Sequence, residues 1–379
     1  MTGPLLPGAT IGVVGGGQLG RMLAQVAHQH GYRVAVLTGG AKDTPAGGVS
    51  EIEITTAFDD ETGIQRLIAE ADVITWEFEN VDPQLAERAR EAGVPVRPSG
   101  DIIAIAQDRQ REKVALEQAG VRVAPWRPAD TLESLHAAVT TLGLPVIAKA
   151  ARFGYDGKGQ MRIDEVGEID AAWAALEGQR LVVESVVPFD RELSVIVVRG
   201  ADGSISDHGV MENDHVHHIL DTTVVPASIP DDRAAAARDM AHRIAVGWDL
   251  VGVLCVEIFD SADGLLVNEV APRPHNSGHC TIEAAPASQF EQQLRAVAGL
   301  PLGDGTCRPA AMVQLLGDLW ADGEPNWPAV LDNDSIHLHL YGKADARPGR
   351  KMGHLTCVGD SPSQALQHAV DARVALSGR

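Results

Sequence analysis

Cysteine is scarce in this chain, with 4 residues among 379, and no two of them form a C-x-x-C pair. A disulfide framework needs more cysteines and a structural zinc site needs closely spaced ones, so the sequence favours neither. Basic residues are also few, since 31 Lys and Arg stand against 52 Asp and Glu and give a formal net charge of -21. That charge disfavours nucleic-acid binding, because a polyanion is held by a broad basic surface.

Long hydrophobic runs are missing as well. No segment approaches the ~18 apolar residues that a membrane-spanning helix needs. Residues 1–7 lack the basic start and apolar stretch of a signal peptide. We therefore expect no membrane association and a cytoplasmic location. The hydrophobic fraction of 45% is enough to form the cores of two or three packed units.

The order of apolar runs and turn residues predicts three domains that combine α/β and α+β structure. Residues 1–108 alternate strands with helices, which indicates an open parallel sheet. A helix from Ser99 to about Ala119 would connect this domain to a central α+β domain, residues 109–303. Residues 304–379 are rich in loops and would form a small third domain. Strands are predicted at 146–149, 181–187, 193–198, 253–258, 265–270, 336–341 and 354–358.

A glycine motif, Gly15-x-Gly17-x-x-Gly20, lies between the first strand and the first helix, as in dinucleotide-binding folds. Such folds also require an acidic residue at the end of the second strand, and here that strand ends in Leu37-Thr38. An NAD-dependent oxidoreductase is therefore disfavoured. The amides at the helix start could still bind another small ligand, and a purely structural turn is the remaining alternative.

Lys149 ends a predicted strand and is followed by the run Gly154-Tyr155-Asp156-Gly157-Lys158-Gly159-Gln160. Glycines let backbone amides close on phosphate oxygens, while the lysine supplies a positive charge. Because the run lacks the G-K-[ST] ending of a Walker loop, we interpret it as a flap that covers phosphate. A plain β-hairpin with a glycine turn is the alternative.

Carboxylates end two later strands that a short turn connects. Glu257 follows one apolar run, and Asn268-Glu269 follows the next. On a hairpin the two glutamates could face one another, and adjacent carboxylates repel unless a proton or a cation lies between them. Oxygen ligands favour magnesium, which is commonly shared with nucleotide phosphates. An exposed pair of acids across two strands is the alternative.

Three further segments carry polar groups suited to ligands. The strand end at 184–187 could bind an adenine edge and Glu192 a ribose, although a solvated glutamate is the commoner case. The loop 271–279 is dense in donors and acceptors, which is typical of ligand-binding loops. The basic stretch 341–354 is the best candidate for a phosphate clamp in this acidic chain, with a solvated basic loop as the alternative.

The strand lysine, flap, adenine segment and paired carboxylates, in this order, resemble the ATP-grasp superfamily over about residues 110–300. Segments 15–22, 153–160, 271–279 and 347–351 are more specifically similar to the 5-(carboxyamino)imidazole ribonucleotide synthase family. The resemblance implies an ATP-grasp architecture with an N-terminal parallel-sheet domain, a two-part central domain and a small C-terminal domain. It also implies ATP-dependent carboxylation of 5-aminoimidazole ribonucleotide by bicarbonate, through carboxyphosphate, in purine biosynthesis.

The same resemblance implies roles for individual residues. ATP would be bound by Arg109, Lys149, Gly154, Tyr155, Asp156, Gly157, Lys158, Gly159, Gln160, Glu184, Ser185, Val186, Val187, Glu192, His215, Asn268 and Glu269. Magnesium, or manganese in its place, would be held by Glu257 and Glu269. The ribonucleotide would contact Gln18, Leu19, Glu77, Arg273, Asn276, Ser277, Lys343, Arg350 and Lys351. The catalytic residues nearest the transferred carboxyl group would be Tyr155, Asp156, Arg273 and His275. Asp156 or His275 could accept the proton of the amine.

The resemblance further implies a homodimer. Two other functions stay open: a related ATP-grasp ligase, such as formate-dependent glycinamide ribonucleotide transformylase, and a protein that binds nucleotide without turnover. The run His275-Asn276-Ser277-Gly278-His279 favours the carboxylating family over the transformylase. The intact pair of Glu257 and Glu269 argues against a protein that only binds.

Overall fold

The computed structural model describes residues 3–82, 84–152 and 159–377. The N-terminal part is a parallel four-stranded sheet of order β3-β2-β1-β4, which confirms the predicted open sheet. Its strands are β1 (Thr10–Val14), β2 (Arg33–Leu37), β3 (Ile52–Ile54) and β4 (Val73–Trp76), and its helices are α1 (Gln18–Gln29), α2 (Glu61–Glu70) and α3 (Gln84–Glu91). Every residue of β1 and β4 is buried, as expected for a parallel sheet that is covered on both faces.

The single helix predicted over residues 99–119 is wrong. The chain forms two helices there, α4 (Gly100–Ala106) and α5 (Arg109–Gln118). Asp108 lies within the predicted helix and forms the N-terminal cap of α5. Its Oδ1 atom accepts hydrogen bonds from the amides of Gln110 and Arg111 at 3.1 and 3.2 Å. These bonds satisfy amides at the start of a second helix.

A small antiparallel sheet of order β5-β8-β6-β7 follows. It contains β5 (Trp126–Ala129), β6 (Val146–Ala150), β7 (Gln160–Ile163) and β8 (Leu181–Ser185), packed with α6 (Leu132–Leu142) and α7 (Ile169–Ala175). Lys149 on β6 lies opposite Gln160 on β7. The segment predicted as a flap therefore connects two paired strands, and its residues 153–158 lie outside the described part of the chain.

The largest sheet has eight strands in the order β13-β12-β9-β10-β11-β14-β16-β15. Its first five strands in sequence are β9 (Phe189–Arg199), β10 (Ile205–Val216), β11 (Ile219–Val225), β12 (Gly252–Ser261) and β13 (Gly264–Ala271). The helices of this region are α8 (Asp231–Gly247), α9 (Thr281–Ala284) and α10 (Gln289–Ala298). Sequence analysis had not predicted the hairpin of β10 and β11, whose buried polar residues interrupt the expected alternation.

The C-terminal strands extend this sheet and do not form one of their own. They are β14 (Ala310–Leu316), β15 (Ile336–Leu340) and β16 (Lys351–Val358), accompanied by α11 (Pro328–Leu331) and α12 (Pro362–Leu376). Strand β14 pairs with β11, with Thr222 opposite Val313. The basic stretch thus connects two strands of the same sheet that carries Glu257 and Glu269. Among the described residues, no helix is long and apolar enough to cross a membrane.

Candidate active site

The glycine turn after β1 closes on a carboxylate. Glu77 directly follows β4, and its Oε2 accepts a hydrogen bond from the amide of Gly17 at 3.0 Å. A Cβ atom added to Gly15 or Gly17 would collide with the Glu77 carboxylate, so this close approach requires glycine. In dinucleotide-binding folds this amide donates a hydrogen bond to a phosphate of the dinucleotide. Here the amide donates to the Glu77 carboxylate, whose negative charge would also repel the phosphate. This geometry is a second argument against NAD binding.

Glu77 connects the start of α1 to the basic groups of the site. Burial raises its pKa, although the amides of Gly17 and Leu19 and the charges of Arg273 and Lys343 act in the opposite direction. Gln18 is the first residue of α1 and is half-buried. The side chain of Leu19 packs in the hydrophobic core, so only its backbone faces Glu77.

Arg273 joins the ligand loop to the N-terminal sheet through Glu79. Its Nε and Nη2 atoms donate to the two carboxylate oxygens of Glu79 at 2.5 and 3.1 Å. Although burial opposes both charges, this ion pair raises the pKa of Arg273 and lowers that of Glu79. Sequence analysis gave Glu79 no role. The available signal was its place in the polar run that follows β4.

A buried cluster of three charges lies where β6 and β8 meet α5. Glu184 is 2.9 Å from Nζ of Lys113 and 2.6 Å from Nζ of Lys149, and their side chains are 5%, 1% and 12% exposed, respectively. Burial alone would raise the pKa of Glu184, but the two lysines hold it well below its ordinary value. The carboxylate therefore fixes Lys149, whereas sequence analysis had assigned Glu184 to ATP.

Lys113 was not found by sequence analysis. Its Nζ also donates to the carbonyl of Asn268 at 2.8 Å, so it connects α5 to the hairpin that carries the paired carboxylates. The only signal in the sequence was the spacing of Arg109 and Lys113, which puts two cations on one face of a helix.

Glu257 and Glu269 lie directly opposite one another in the ladder of β12 and β13. Glu269 Oε2 accepts from Arg109 Nη1 at 2.7 Å, while Glu257 Oε1 is 3.0 Å from His275 Nε2. Burial raises the pKa of Glu269, but Arg109 and Lys149 outweigh it and lower the pKa to about 2. Each carboxylate therefore already has a positive or hydrogen-donating neighbour.

The groups around this pair include oxygen atoms that could ligate a metal ion. The side-chain oxygen of Asn268 is buried and has no hydrogen-bond partner among the described residues, so an oxygen ligand is unsatisfied beside two carboxylates. Cys255 also lies within 4.8 Å of Glu257 and His275. Burial raises the pKa of its thiol well above the ordinary value, which makes it a poor metal ligand. The donor set suits a hard cation.

His275 lies in the loop after β13, and both of its ring nitrogens have a polar neighbour. Nε2 faces Glu257, and Nδ1 lies 2.9 Å from Oγ of Ser277. Ser277 was predicted to contact the substrate, but it is 1% exposed and its hydroxyl also contacts Ser194 at 2.9 Å. Its side chain therefore supports His275 from inside. The side-chain oxygen of Asn276 is buried without a partner in the described part and remains available to a ligand.

The other described residues predicted to bind ATP lie on the two antiparallel sheets or directly beside their strands. Glu192 on β9 forms an ion pair with Nδ1 of His215 on β10, and this pairing raises the pKa of His215 against the effect of burial. Ser185 ends β8, and Val186 and Val187 continue from it half-buried. Gly159 has a φ of 70° just before Gln160 opens β7. The residues outside the described part of the chain are Gly154, Tyr155, Asp156, Gly157 and Lys158.

The basic stretch forms a loop that is ordered by its own backbone. Lys343 Nζ donates to the carbonyl of Lys351 at 2.7 Å, and Arg350 Nη1 donates to the carbonyl of Asp345 at 2.8 Å. Burial and the nearby charge of Arg350 lower the pKa of Lys343 to about 8. Lys343 and Arg273 both act electrostatically on Glu77, so the basic loop and the loop 271–279 face one site.

Comparison with known families identifies three matching segments. Residues 8–107 match the ribonucleotide synthetase preATP-grasp domain, residues 114–290 the ATP-grasp domain, and residues 310–368 the phosphoribosylaminoimidazole carboxylase C-terminal domain. The N5-carboxyaminoimidazole ribonucleotide synthase of Bacillus subtilis is 44% identical over 365 residues, which cover 96% of this chain and 95% of the relative.

Solved structures of the same family are also similar. An ADP complex of N5-carboxyaminoimidazole ribonucleotide synthetase has a TM-score of 0.92 at 39% identity, covering 99% of this chain and 98% of the other. The Aspergillus clavatus enzyme in complex with ADP and 5-aminoimidazole ribonucleotide has a TM-score of 0.86 at 30% identity, covering 97% and 99%. The chain therefore belongs to the N5-carboxyaminoimidazole ribonucleotide synthases, the ATP-dependent ligase family that its motifs resemble.

Proposed function

We propose that this chain uses the site described above to carboxylate the exocyclic amine of 5-aminoimidazole ribonucleotide with bicarbonate, converting ATP to ADP and phosphate. One observation carries the assignment of residues. Glu77 is in electrostatic range of both Arg273 and Lys343, so the loop suited to an oxyanion and the loop suited to a phosphate monoester converge on one position. A ribonucleotide whose phosphate lies at Lys343 would have its base near Arg273 and His275.

The nucleotide half of the site would be built on the two antiparallel sheets. Lys149 and Arg109 supply positive charge to the phosphates, and Glu192 with His215 suits the ribose. The oxygens of Glu257, Glu269 and Asn268 would hold magnesium, and manganese would suit the same ligands. The ion would neutralise charge on the phosphates. The unsatisfied oxygen of Asn268 supports this assignment.

The part of the site that binds the ribonucleotide must also bind carboxyphosphate, an intermediate that water hydrolyses. Carboxyphosphate is an oxyanion, and the planar fork of Arg273 can bind it with two parallel hydrogen bonds. That fork donates to Glu79, so carboxyphosphate would exchange with a carboxylate. Tyr155 and Asp156 lie outside the described part of the chain, and we propose that they act nearest the transferred carboxyl group.

The phosphate of the ribonucleotide would bind Lys343, Arg350 and Lys351, which predicts a pH dependence. Lys343 has a pKa of about 8. It is charged below that pH, and each pH unit above it reduces the charged fraction of the free chain about tenfold. We therefore expect KM for the ribonucleotide to rise as the pH increases through 8, measured in initial-rate assays between pH 7 and 9.5.

The control is Lys343→Arg, because a guanidinium stays charged over this whole range. Its KM should be nearly independent of pH between 7 and 9.5. An equal rise of KM in both proteins would show that another group titrates and that Lys343 does not bind the phosphate.

The reaction itself is tested by phosphate release from ATP in the presence of magnesium. We expect release only when bicarbonate and 5-aminoimidazole ribonucleotide are both present, with one phosphate per carboxylated product. Release with glycinamide ribonucleotide and formate in their place would reassign the acceptor. ATP binding without release under either condition would contradict catalysis.

We also propose a homodimer, and that the domain limits lie near residues 108 and 303. Light scattering of the purified chain tests the first statement. The expected molar mass is twice that of the 40.1 kDa chain. A mass equal to one chain at assay concentration would contradict the dimer.

A further inference from the structure

A row of buried polar side chains crosses the large sheet and ends at His275. Thr223 Oγ1 on β11 donates to Oδ1 of Asn213 on β10, and Asn213 Nδ2 donates to Oγ of Ser194 on β9, both at 2.9 Å. Ser194 Oγ donates to Ser277 Oγ at 2.9 Å, and Ser277 Oγ is 2.9 Å from His275 Nδ1. The other four side chains of the row, those of Thr223, Asn213, Ser194 and Ser277, are at most 8% exposed. The row therefore exchanges hydrogen bonds within itself, inside the core.

The two nitrogens of the His275 ring fix the direction of this row. The backbone amide of Ser277 points at Nδ1 with a separation of 3.4 Å, and an amide can only donate, so Nδ1 is an acceptor. On the other side of the ring, a carboxylate oxygen of Glu257 lies 3.0 Å from Nε2 and accepts. Both neighbours therefore require the proton of a neutral ring to be on Nε2.

The rest of the row follows from proton counting. Each hydroxyl has one proton, and Ser277 directs its proton to Nδ1 of His275. Ser194 then gives its proton to Ser277 and must accept from Asn213, which orients the amide nitrogen of Asn213 towards Ser194 and its oxygen towards Thr223. The structure has Asn213 in this orientation. Reversing a single member would leave a buried donor facing a donor.

We propose that Ser194, Asn213 and Thr223 are positioning residues that act through Ser277 to keep the proton of His275 on Nε2, so that His275 serves the carboxylation as a hydrogen-bond donor and not as its base. The role of His275 in carboxylation rests on the proposed function. Nε2–H donates to Glu257 beside the carboxylate pair, and an oxyanion bound at this position would accept the same hydrogen bond. In this tautomer Nδ1 is the ring nitrogen whose lone pair could take up a proton. That lone pair already accepts a hydrogen bond from Ser277 inside the protein. The proton of the substrate amine therefore goes to another group.

The tautomer can be observed directly. In the full chain labelled with ¹⁵N-histidine, two-bond proton–nitrogen spectra distinguish a protonated from an unprotonated ring nitrogen, and His275→Gln identifies the His275 signals by their loss. At neutral pH we expect a protonated Nε2 and an unprotonated Nδ1. A protonated Nδ1, or protons on both nitrogens, would overturn the proposal whatever the variants show.

The variants remove one hydroxyl from the row, and in Thr223→Val a methyl group of nearly the same shape replaces it. Thr223→Val and Ser194→Ala each remove one donor, whereas Thr223→Ser keeps the hydroxyl. We expect the first two to give mixed tautomers and a kcat about tenfold lower, as is typical when groups supporting an active-site histidine are removed, with KM for ATP unchanged. Thr223→Ser should retain the tautomer and kcat.

A purely structural row would behave differently. If Thr223→Val lowers only the melting temperature, with the tautomer and kcat unaltered, the side chains merely satisfy one another and the proposal fails. The expected tautomer in a chain that does not carboxylate 5-aminoimidazole ribonucleotide would leave the positioning role standing and overturn the proposed function, so the two failures can be told apart.

Discussion

Replacing Glu269 with glutamine should reduce the turnover number for ribonucleotide-dependent phosphate release by a factor on the order of 10³. A bound cation that neutralises phosphate contributes several kcal/mol to the transition state, and each ~1.4 kcal/mol corresponds to a tenfold change in rate. The amide keeps the shape of the side chain but loses its charge. It also leaves Arg109, which is 2.7 Å from Glu269, without its carboxylate partner. The measurement is kcat at saturating ATP and magnesium.

The matched control for this variant is Asp263→Asn, which makes the same chemical change on the same hairpin. Asp263 is exposed in the turn between β12 and β13, at the end away from Glu269. Its kcat should equal that of the unmodified chain. Retention of more than about a tenth of the activity by Glu269→Gln, where a loss of several kcal/mol is expected, would mean that Glu269 does not hold the ion.

The second large effect concerns stability. Glu184→Gln should lower the free energy of unfolding by about 3–5 kcal/mol, because removing one partner from a buried ion pair leaves an uncompensated charge. Two lysines depend on this carboxylate, at 2.9 and 2.6 Å, and all three side chains are nearly excluded from water. The midpoints of urea and thermal unfolding, measured on the full chain, report the change.

Asp164→Asn provides the comparison, since Asp164 is 2.8 Å from Arg162 in a pair whose side chains are 53% and 55% exposed. The separation is similar and the burial differs. Solvent screens such a pair, so its loss should change stability little. Equal destabilisation by the two substitutions would show that burial of the Glu184 cluster has no special effect.

Parts of the structure that depend on local patterns could be predicted from the sequence. The parallel N-terminal sheet follows from alternating apolar runs and helix signals. The short turn between β12 and β13 predicts that Glu257 and Glu269 lie near one another, but on its own it would place Glu257 opposite Asn268. A β-bulge at Glu257 shifts the register by one residue and brings Glu269 opposite, and no sequence pattern predicted that bulge. The break at Asp108 was missed because good helix formers lie on both sides of it, and only the geometry of its side chain stops the first helix.

Contacts between distant segments could not be predicted. Arg273 and Glu79 are 194 positions apart, and Lys149 reaches Glu184 from another strand, so no local period encodes either pair. Ser277 was assigned to the substrate by the family resemblance, although the loop turns this hydroxyl inward. The buried row that receives it starts on β9, which the apolar run 193–198 predicted, and continues on β10 and β11, whose buried polar residues masked the hydrophobic pattern.

The pairing of β14 with β11 limits which segments of this chain can be lost or exchanged during evolution. Residues 310–313 satisfy backbone groups of residues 222–225, so loss of the last segment would expose an open strand edge and invite aggregation. The loop that carries Lys343 and the hairpin that carries Glu257 are also inherited as parts of one sheet. Insertions can lengthen the connecting loops, but the segment that begins at residue 310 could not be added or lost during evolution without changing whether the edge of β11 is paired.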